Sequence, residues 1–196
     1  TGEYFDSVVD PRRWQQISKH LNIKLEGDKK LGKNILICLQ RNQGWSMGSL
    51  SVINWLETVI PMLTNYTDRT IVIRLHPGDK KALTDYLPIL TEKYKNNPKI
   101  KISRFGTPLQ NDLSKAWAVV NHNSSSIVGP LIQGYPGFIT DPNKSQCAEV
   151  VHTDFSKIES PQQFDRQKWL ERISMFHWNF DELSNGLAWK HMRQYV

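Results

Sequence analysis

The chain has 196 residues with a formal net charge of +6, and 39% of its residues are hydrophobic. This apolar content suits one large domain or two small ones with a packed core, and it argues against a disordered chain. No apolar run approaches the ~18 residues needed to span a bilayer, and no signal peptide opens the chain, so we expect a cytoplasmic protein without a transmembrane segment.

The first 33 residues are predicted to form a lead-in segment with one short helix. After Pro11, the residues Trp14, Ile17 and Leu21 fall on one helical face. The polar stretch EGDKKLGKN then closes this segment as a loop. Because the chain begins at Thr1 without a methionine, the sequence leaves open that it is part of a longer protein.

Residues 34–160 alternate between short apolar runs and stretches of helical spacing. The predicted strands are NILICLQ (Asn34 to Gln40), TIVIRL, KIKIS, WAVVNH and GFITD. The first helix after a strand is expected to begin at Ser49 or Ser51, and Pro61 is expected to end or kink it. This alternation predicts an α/β fold, an open, doubly wound, Rossmann-like parallel sheet of about five or six strands.

Residues 161–196 are predicted to form two C-terminal helices packed on the same domain. The segments SPQQFDRQKWLERISMF and NFDELSNGLAWKHMRQYV each open with a cap residue. Gln163 and Glu182 follow those caps three positions later, which is the pattern of a capping box.

In a sheet of this kind, ligands bind outside the carboxyl ends of the strands. These tips carry cationic and donor side chains: Arg41 after the first strand, Arg74, His76 and Pro77 after the second, and Ser124, Ser125 and Ser126 after the fourth. They predict a site for an anionic ligand, with Trp45 at its rim as a residue that stacks on a base or sugar.

Each of these residues also has a plainer interpretation. One serine of the cluster would simply cap the following helix. His76 would donate a hydrogen bond to a phosphate oxygen, act as a general base, or be a structural histidine. We prefer the hydrogen-bond donor, because Pro77 makes the tip a shaped turn. Arg41 would either grip a phosphate with its guanidinium or be an ordinary surface arginine.

Several other kinds of site are excluded by spacing. GWSMG matches neither the dinucleotide-binding nor the P-loop glycine pattern, and the serine cluster lacks the G-x-S-x-G setting of a hydrolase. Cys38 and Cys147 form no metal or disulfide pattern, and His122 and His152 lack ligand partners, so we expect no metal.

Together, these motifs resemble the C-terminal, nucleotide-sugar-binding half of GT-B glycosyltransferases. The strand ending in His76 and Pro77, the serine cluster before a helix, and QGYPGF before the next strand carry the resemblance. It covers roughly Asn34 to Asp141 and is closest to capsule-type enzymes that use CMP-activated sugars, the Kdo transferases and sialyltransferases. Gly129, followed by Pro130, stands where many of these enzymes have a ribose-binding glutamate.

The resemblance implies a donor-binding domain that transfers a sugar from a nucleotide-sugar, with a CMP-sugar as one candidate, to a glycan or related acceptor. The HP and serine motifs would hold the donor phosphate, the nucleotide-sugar would be a substrate rather than a cofactor, and no catalytic residue is assigned. In that family the acceptor site and usual base lie in an N-terminal domain, which a partner chain or a longer protein would supply.

Two alternatives remain. One is a non-catalytic nucleotide or nucleotide-sugar binding module on the same scaffold. The other is a nucleic-acid-binding protein, motivated by the net charge of +6 and the loop tryptophan. It ranks last because the sequence contains no cluster of Lys or Arg with interleaved aromatic residues.

Overall fold

The computed structural model describes residues 9–29, 32–42 and 44–195, and the chain divides into two compact units. Residues 26–164 form the first, which we term the sheet unit. Residues 1–25 and 165–196 form the second, the helical unit, so the lead-in helix groups with the C-terminal helices. The predicted bounds of the lead-in segment and the packing of the tail helices on the sheet domain stay predictions.

The sheet unit contains five parallel strands, which confirms the predicted fold class. They are β1 (Asn34–Cys38), β2 (Ile71–Arg74), β3 (Ile100–Ile102), β4 (Ala116–Asn121) and β5 (Gly137–Ile139). Their spatial order is β3-β2-β1-β4-β5. The strand order therefore reverses between β1 and β4, which is the point where open α/β sheets bind ligands.

Eight α-helices are present in the described residues. They are α1 (Pro11–Leu21), α2 (Val52–Thr64), α3 (Leu87–Tyr94), α4 (Leu109–Leu113), α5 (Val128–Ile132), α6 (Arg166–Ser174), α7 (Phe180–Ser184) and α8 (Leu187–Met192). The described part of the chain contains no helix with both the length and the apolar character needed to cross a membrane.

The apolar strands form the core of the sheet unit. Ile35, Leu36, Ile37 and Cys38 of β1 are all buried, because a central parallel strand is covered on both faces. Helix α2 contributes Trp55, Leu56 and Val59 to the same cluster. Its N-cap is Ser51, whose side chain accepts the Asn54 N–H at 3.1 Å, and Pro61 lies inside the helix instead of ending it.

The helical unit differs from prediction in two places. Helix α6 begins at Arg166, after the N-cap Asp165, because the Asp165 carboxylate accepts the Gln167 N–H. The expected start after the cap residue Ser160, with Gln163 in a capping box, is wrong. The last predicted helix is broken into α7 and α8, because Gly186 adopts a left-handed conformation with φ of 78°. The capping box of Asn179 and Glu182 is confirmed.

Candidate functional site

A hollow of about 440 Å³ lies at the carboxyl edge of the sheet. The residues that line it follow β1, β2, β4 and β5, so four strand tips contribute to one site. Of the predicted site residues, Arg41, Trp45, His76, Ser124 and Ser125 line this hollow together. This volume is within the usual range for small-molecule sites.

Arg74, Pro77 and Ser126 are not among the described lining residues. Arg74 Nη1 donates to Asp112 Oδ2 at 2.7 Å, so its charge is already neutralised by a nearby carboxylate. The Ser126 N–H donates to the Ser124 hydroxyl at 3.1 Å within the same turn. We therefore leave these three residues out of the direct ligand contacts.

The geometry of the turn after β2 fixes the proton on His76. The Gly78 N–H donates to His76 Nδ1 at 3.0 Å, so Nδ1 is an acceptor and the proton of the neutral ring lies on Nε2. Partial burial and the positive charge of Arg41 lower the pKa of His76, while Asp79 raises it in part. A neutral imidazole with an Nε2–H donor is the form that lines the hollow near pH 7.

Gly78 allows Arg41 and His76 to lie side by side. A Cβ atom at Gly78 would lie 3.2 Å from Arg41 Nη2 and 3.2 Å from His76 Cε1. The guanidinium and the imidazole therefore both pass close to the glycine backbone. A glycine is the residue that gives them this space.

The serine cluster forms a 3₁₀ turn, Ser125–Ile127, that leads into α5. Ser124 is its N-cap, so the capping role considered from the sequence is present. Asn121 fixes the turn from the end of β4, accepting the Ser124 N–H at 3.2 Å and donating to the Ser124 carbonyl at 3.1 Å. Ser125 is exposed, lines the hollow and has no capping role in this turn.

The charge of the hollow is positive. Arg41 and Lys144 both line it, and neither forms an ion pair with a carboxylate among the residues that the structure describes. None of the described lining residues is Asp or Glu. Such a surface attracts anions.

A buried amide pair holds the frame of the hollow. Gln40 Nε2 donates to Asn123 Oδ1 at 2.8 Å, and the Asn123 N–H donates to Gln40 Oε1 at 2.9 Å. The same two side chains donate to the hydroxyl and the carbonyl of Ser46, at 2.7 and 3.1 Å. They therefore fix the loop that presents Trp45, whose side chain is 98% exposed.

Sequence reasoning missed Ser46 in the loop after β1, and it missed two lining residues after β5, Lys144 and Gln146. They follow β5 in the segment DPNKSQ, so the strand-tip rule applied to the fifth strand would have found them. Gln40 and Asn123 were visible at strand tips, but their pairing depends on the fold. In the described residues, no group of three or more His, Cys, Asp and Glu side chains is placed to hold a metal ion.

A second hollow, of about 510 Å³, belongs to the helical unit. Arg13 and Glu182 both line it and pair with each other, with Arg13 Nη2 donating to Glu182 Oε2 at 2.8 Å. This hydrogen bond and charge from Arg13 lower the pKa of Glu182 to about 2. Its charged groups are thus used within the unit, and the hollow of the sheet unit is the better candidate for an anionic ligand.

The comparisons with known proteins found structural neighbours and no sequence relatives. No protein-family model and no curated protein matches the chain. Among solved structures, a UDP-GlcNAc 2-epimerase of Methanocaldococcus jannaschii in complex with UDP-GlcNAc and UDP is similar, with a TM-score of 0.46, 19% identity and 73% of this chain covered. Another structure of that epimerase matches with a TM-score of 0.47, 20% identity and 83% coverage. This chain spans 44% and 48% of their respective lengths.

Proposed function

We propose that the sheet unit binds a nucleotide-sugar in the hollow at the carboxyl edge of its sheet. The observation that carries the proposal is the convergence of Arg41, His76 and Ser125 on one cavity at the reversal of strand order. A guanidinium, an Nε2–H and a hydroxyl are donors that suit phosphate oxygens. Trp45 at the rim supplies a flat surface for the base or sugar.

The finer proposal is that this binding serves glycosyl transfer to a glycan or related acceptor. When the bond between sugar and phosphate breaks, negative charge grows on the leaving nucleotide. Arg41, Lys144 and the His76 Nε2–H would stabilise that charge without a metal ion. Because no described lining residue is a carboxylate, a general base would have to come from another part of the protein or from a partner.

Two nucleotides suit the hollow, and they differ in the number of phosphates that they carry. The motif resemblance favours a CMP-sugar, in which a single phosphate links nucleoside and sugar. A UDP-sugar carries two phosphates and would engage both lining cations, Arg41 and Lys144. Calorimetric titration with CMP, UDP and a sugar conjugate of each separates the two.

The test is binding of these ligands to the intact chain and to His76→Ala. Loss of a hydrogen bond to a charged group is expected to weaken binding by roughly tenfold or more. His20→Ala, an exposed histidine of α1 in the helical unit, is the matched control and should bind like the unmodified chain. Absence of binding by the intact chain, or equal binding by His76→Ala, contradicts the proposal.

A non-catalytic binding module is the second candidate, and the absence of a carboxylate among the described lining residues favours it. The two candidates differ in turnover. If the chain binds a labelled nucleotide-sugar but releases no free nucleotide with any acceptor, even when the full-length protein is used, the module is favoured over the transferase.

A further inference from the structure

Asp79 is a buried carboxylate directly beside the hollow that does not line it. Its side chain is only 5% exposed, and it follows the turn that carries His76. No lysine, arginine or histidine forms an ion pair with it among the described residues. Burying a charge in this way is costly unless hydrogen bonds compensate for the lost water.

Neutral donors from three segments supply those hydrogen bonds. Oδ2 accepts the Asn42 N–H at 2.9 Å and the Tyr86 hydroxyl at 2.8 Å, and Oδ1 accepts the Lys81 N–H at 3.2 Å. Burial by itself raises the pKa of Asp79, but these hydrogen bonds outweigh it and the net pKa is lowered. The carboxylate is therefore charged at neutral pH, and it joins segments that are far apart in sequence.

The hydrogen bond from Asn42 to Asp79 also restrains the backbone of Arg41, the proposed ligand-binding cation, because Asn42 is the next residue after it. Asn42 is also held from the other side, since its Oδ1 accepts the Val52 N–H at the start of α2, at 3.1 Å. At the other end, Asp79 is the next residue after Gly78, over which Arg41 Nη2 and His76 Cε1 both pass. Asp79 thus connects the backbone that carries Arg41 to the turn that carries His76.

We propose that Asp79 is a positioning residue of the anion site, which holds the Arg41 segment against the His76 turn so that both donors reach one phosphate group. It makes no contact with the ligand itself. This inference rests on the proposed function of the hollow and adds to it a residue whose effect on binding passes through Arg41.

A double-mutant cycle tests this route. Asp79→Asn keeps the size of the side chain but removes its negative charge and replaces one acceptor oxygen with a donor, so the hydrogen bond from the Asn42 N–H loses its charged acceptor and is weakened. We expect this change to weaken binding of UDP or CMP by about tenfold, since a hydrogen bond to a charged group is lost. In the Arg41→Ala background the same change should weaken binding less than twofold, because the group that Asp79 positions is gone.

A merely structural role would give a different pattern. It would weaken binding equally in both backgrounds, and that result would overturn the proposal, as would unchanged affinity in Asp79→Asn. Glu159→Gln is the control for lost stability, because Glu159 accepts hydrogen bonds from Thr67 and Arg69 away from the hollow; it should leave affinity unchanged. If Asp79→Asn does not fold, Asp79→Ser takes its place.

Failure of the proposed function is distinguished by a measurement on the free protein. If the intact chain binds neither nucleotide, that proposal fails, and amide hydrogen exchange then decides the role of Asp79. Exchange at the Asn42 amide should be at least about tenfold faster in Asp79→Asn than in the unmodified chain and Glu159→Gln, because the hydrogen bond that protects it loses its charged acceptor. Equal exchange in all three would overturn the positioning role.

Discussion

Gln40 and Asn123 pair through two reciprocal hydrogen bonds, although 83 positions separate them in the sequence. Gln40 follows β1 and Asn123 follows β4, so the pair spans the point where the strand order reverses. Both are buried, so their polar atoms need partners inside the protein, and the pair supplies one hydrogen bond to each residue. The pair therefore links the tips of β1 and β4 beside the proposed site.

Truncating this link should affect both stability and the Trp45 loop. Gln40→Ala leaves the Asn123 N–H and Oδ1 without their partner, and we expect the free energy of unfolding to fall by about 1–3 kcal/mol in denaturant titrations. Gln110→Ala, an exposed glutamine of α4, should change it by less than about 0.5 kcal/mol. If both variants change the free energy of unfolding by the same amount, the pair of Gln40 and Asn123 does not stabilise the fold as expected.

Gly78→Ala should weaken ligand binding more than it lowers stability. The added Cβ would meet the Arg41 guanidinium and the His76 ring at 3.2 Å, and these side-chain ends must move away. We expect roughly a tenfold loss of nucleotide affinity, equivalent to about 1.4 kcal/mol. The control is Gly129→Ala on α5, where nothing lies within 4 Å of the added atom, so affinity should not change. If Gly129→Ala loses affinity as well, the loss in Gly78→Ala cannot be assigned to contact with Arg41 and His76.

Trp45→Ala should weaken nucleotide binding while leaving the stability of the fold almost unchanged. Its indole is 98% exposed, so the free energy of unfolding should change by less than about 0.5 kcal/mol. Loss of a stacking contact with a base should weaken nucleotide binding by about 1–3 kcal/mol in calorimetry. Trp189→Ala, which removes an exposed tryptophan of the helical unit, is the matched control. Unchanged affinity in Trp45→Ala would mean that the indole does not contact the ligand.

His152 should make the stability of the sheet unit depend on pH. Burial lowers its pKa below 6.5, while the Gln162 carbonyl and Asp154 raise it in part; its ring stacks on Phe138 with centroids 4.7 Å apart. The unfolded chain binds the proton more readily, so stability is full above about pH 6.5 and is lost as the pH falls from there toward the lowered pKa.

His152→Gln tests this contribution. It should flatten the fall in unfolding free energy between pH 7 and pH 5, measured by denaturant titration at each pH. Gln110→Ala, at an exposed position without a titratable side chain, should retain the pH dependence of the unmodified chain. A steeper fall in His152→Gln than in the unmodified chain would reverse the assigned sign.

The sequence predicts β1 well because its residues from Ile35 to Cys38 are apolar without interruption. Ile35 to Cys38 are all buried, and an apolar run this short suits a strand covered on both faces rather than a helix. The site was predicted only in part, because a strand tip identifies which residues lie at the sheet edge but not where their side chains point. Arg74 occupies such a tip, yet it pairs with Asp112, which is 38 positions away.

Contacts between distant segments explain the other omissions. Asp79 stands next to a motif glycine in the sequence, but its bonds to Asn42 and Tyr86 exist only in the folded chain. The breaks in the helical unit have a local cause, since Gly186 favours a left-handed backbone that the periodic pattern of apolar residues does not reveal.

Nuclear magnetic resonance during titration with UDP or CMP is the most direct test of an anion site in this hollow. We expect the His76 Nε2–H, the Ser125 amide and the Trp45 indole signals to shift together along one saturating curve, while signals of the helical unit stay in place. Saturation with none of these three signals moving, or shifts confined to residues outside the hollow, would contradict it.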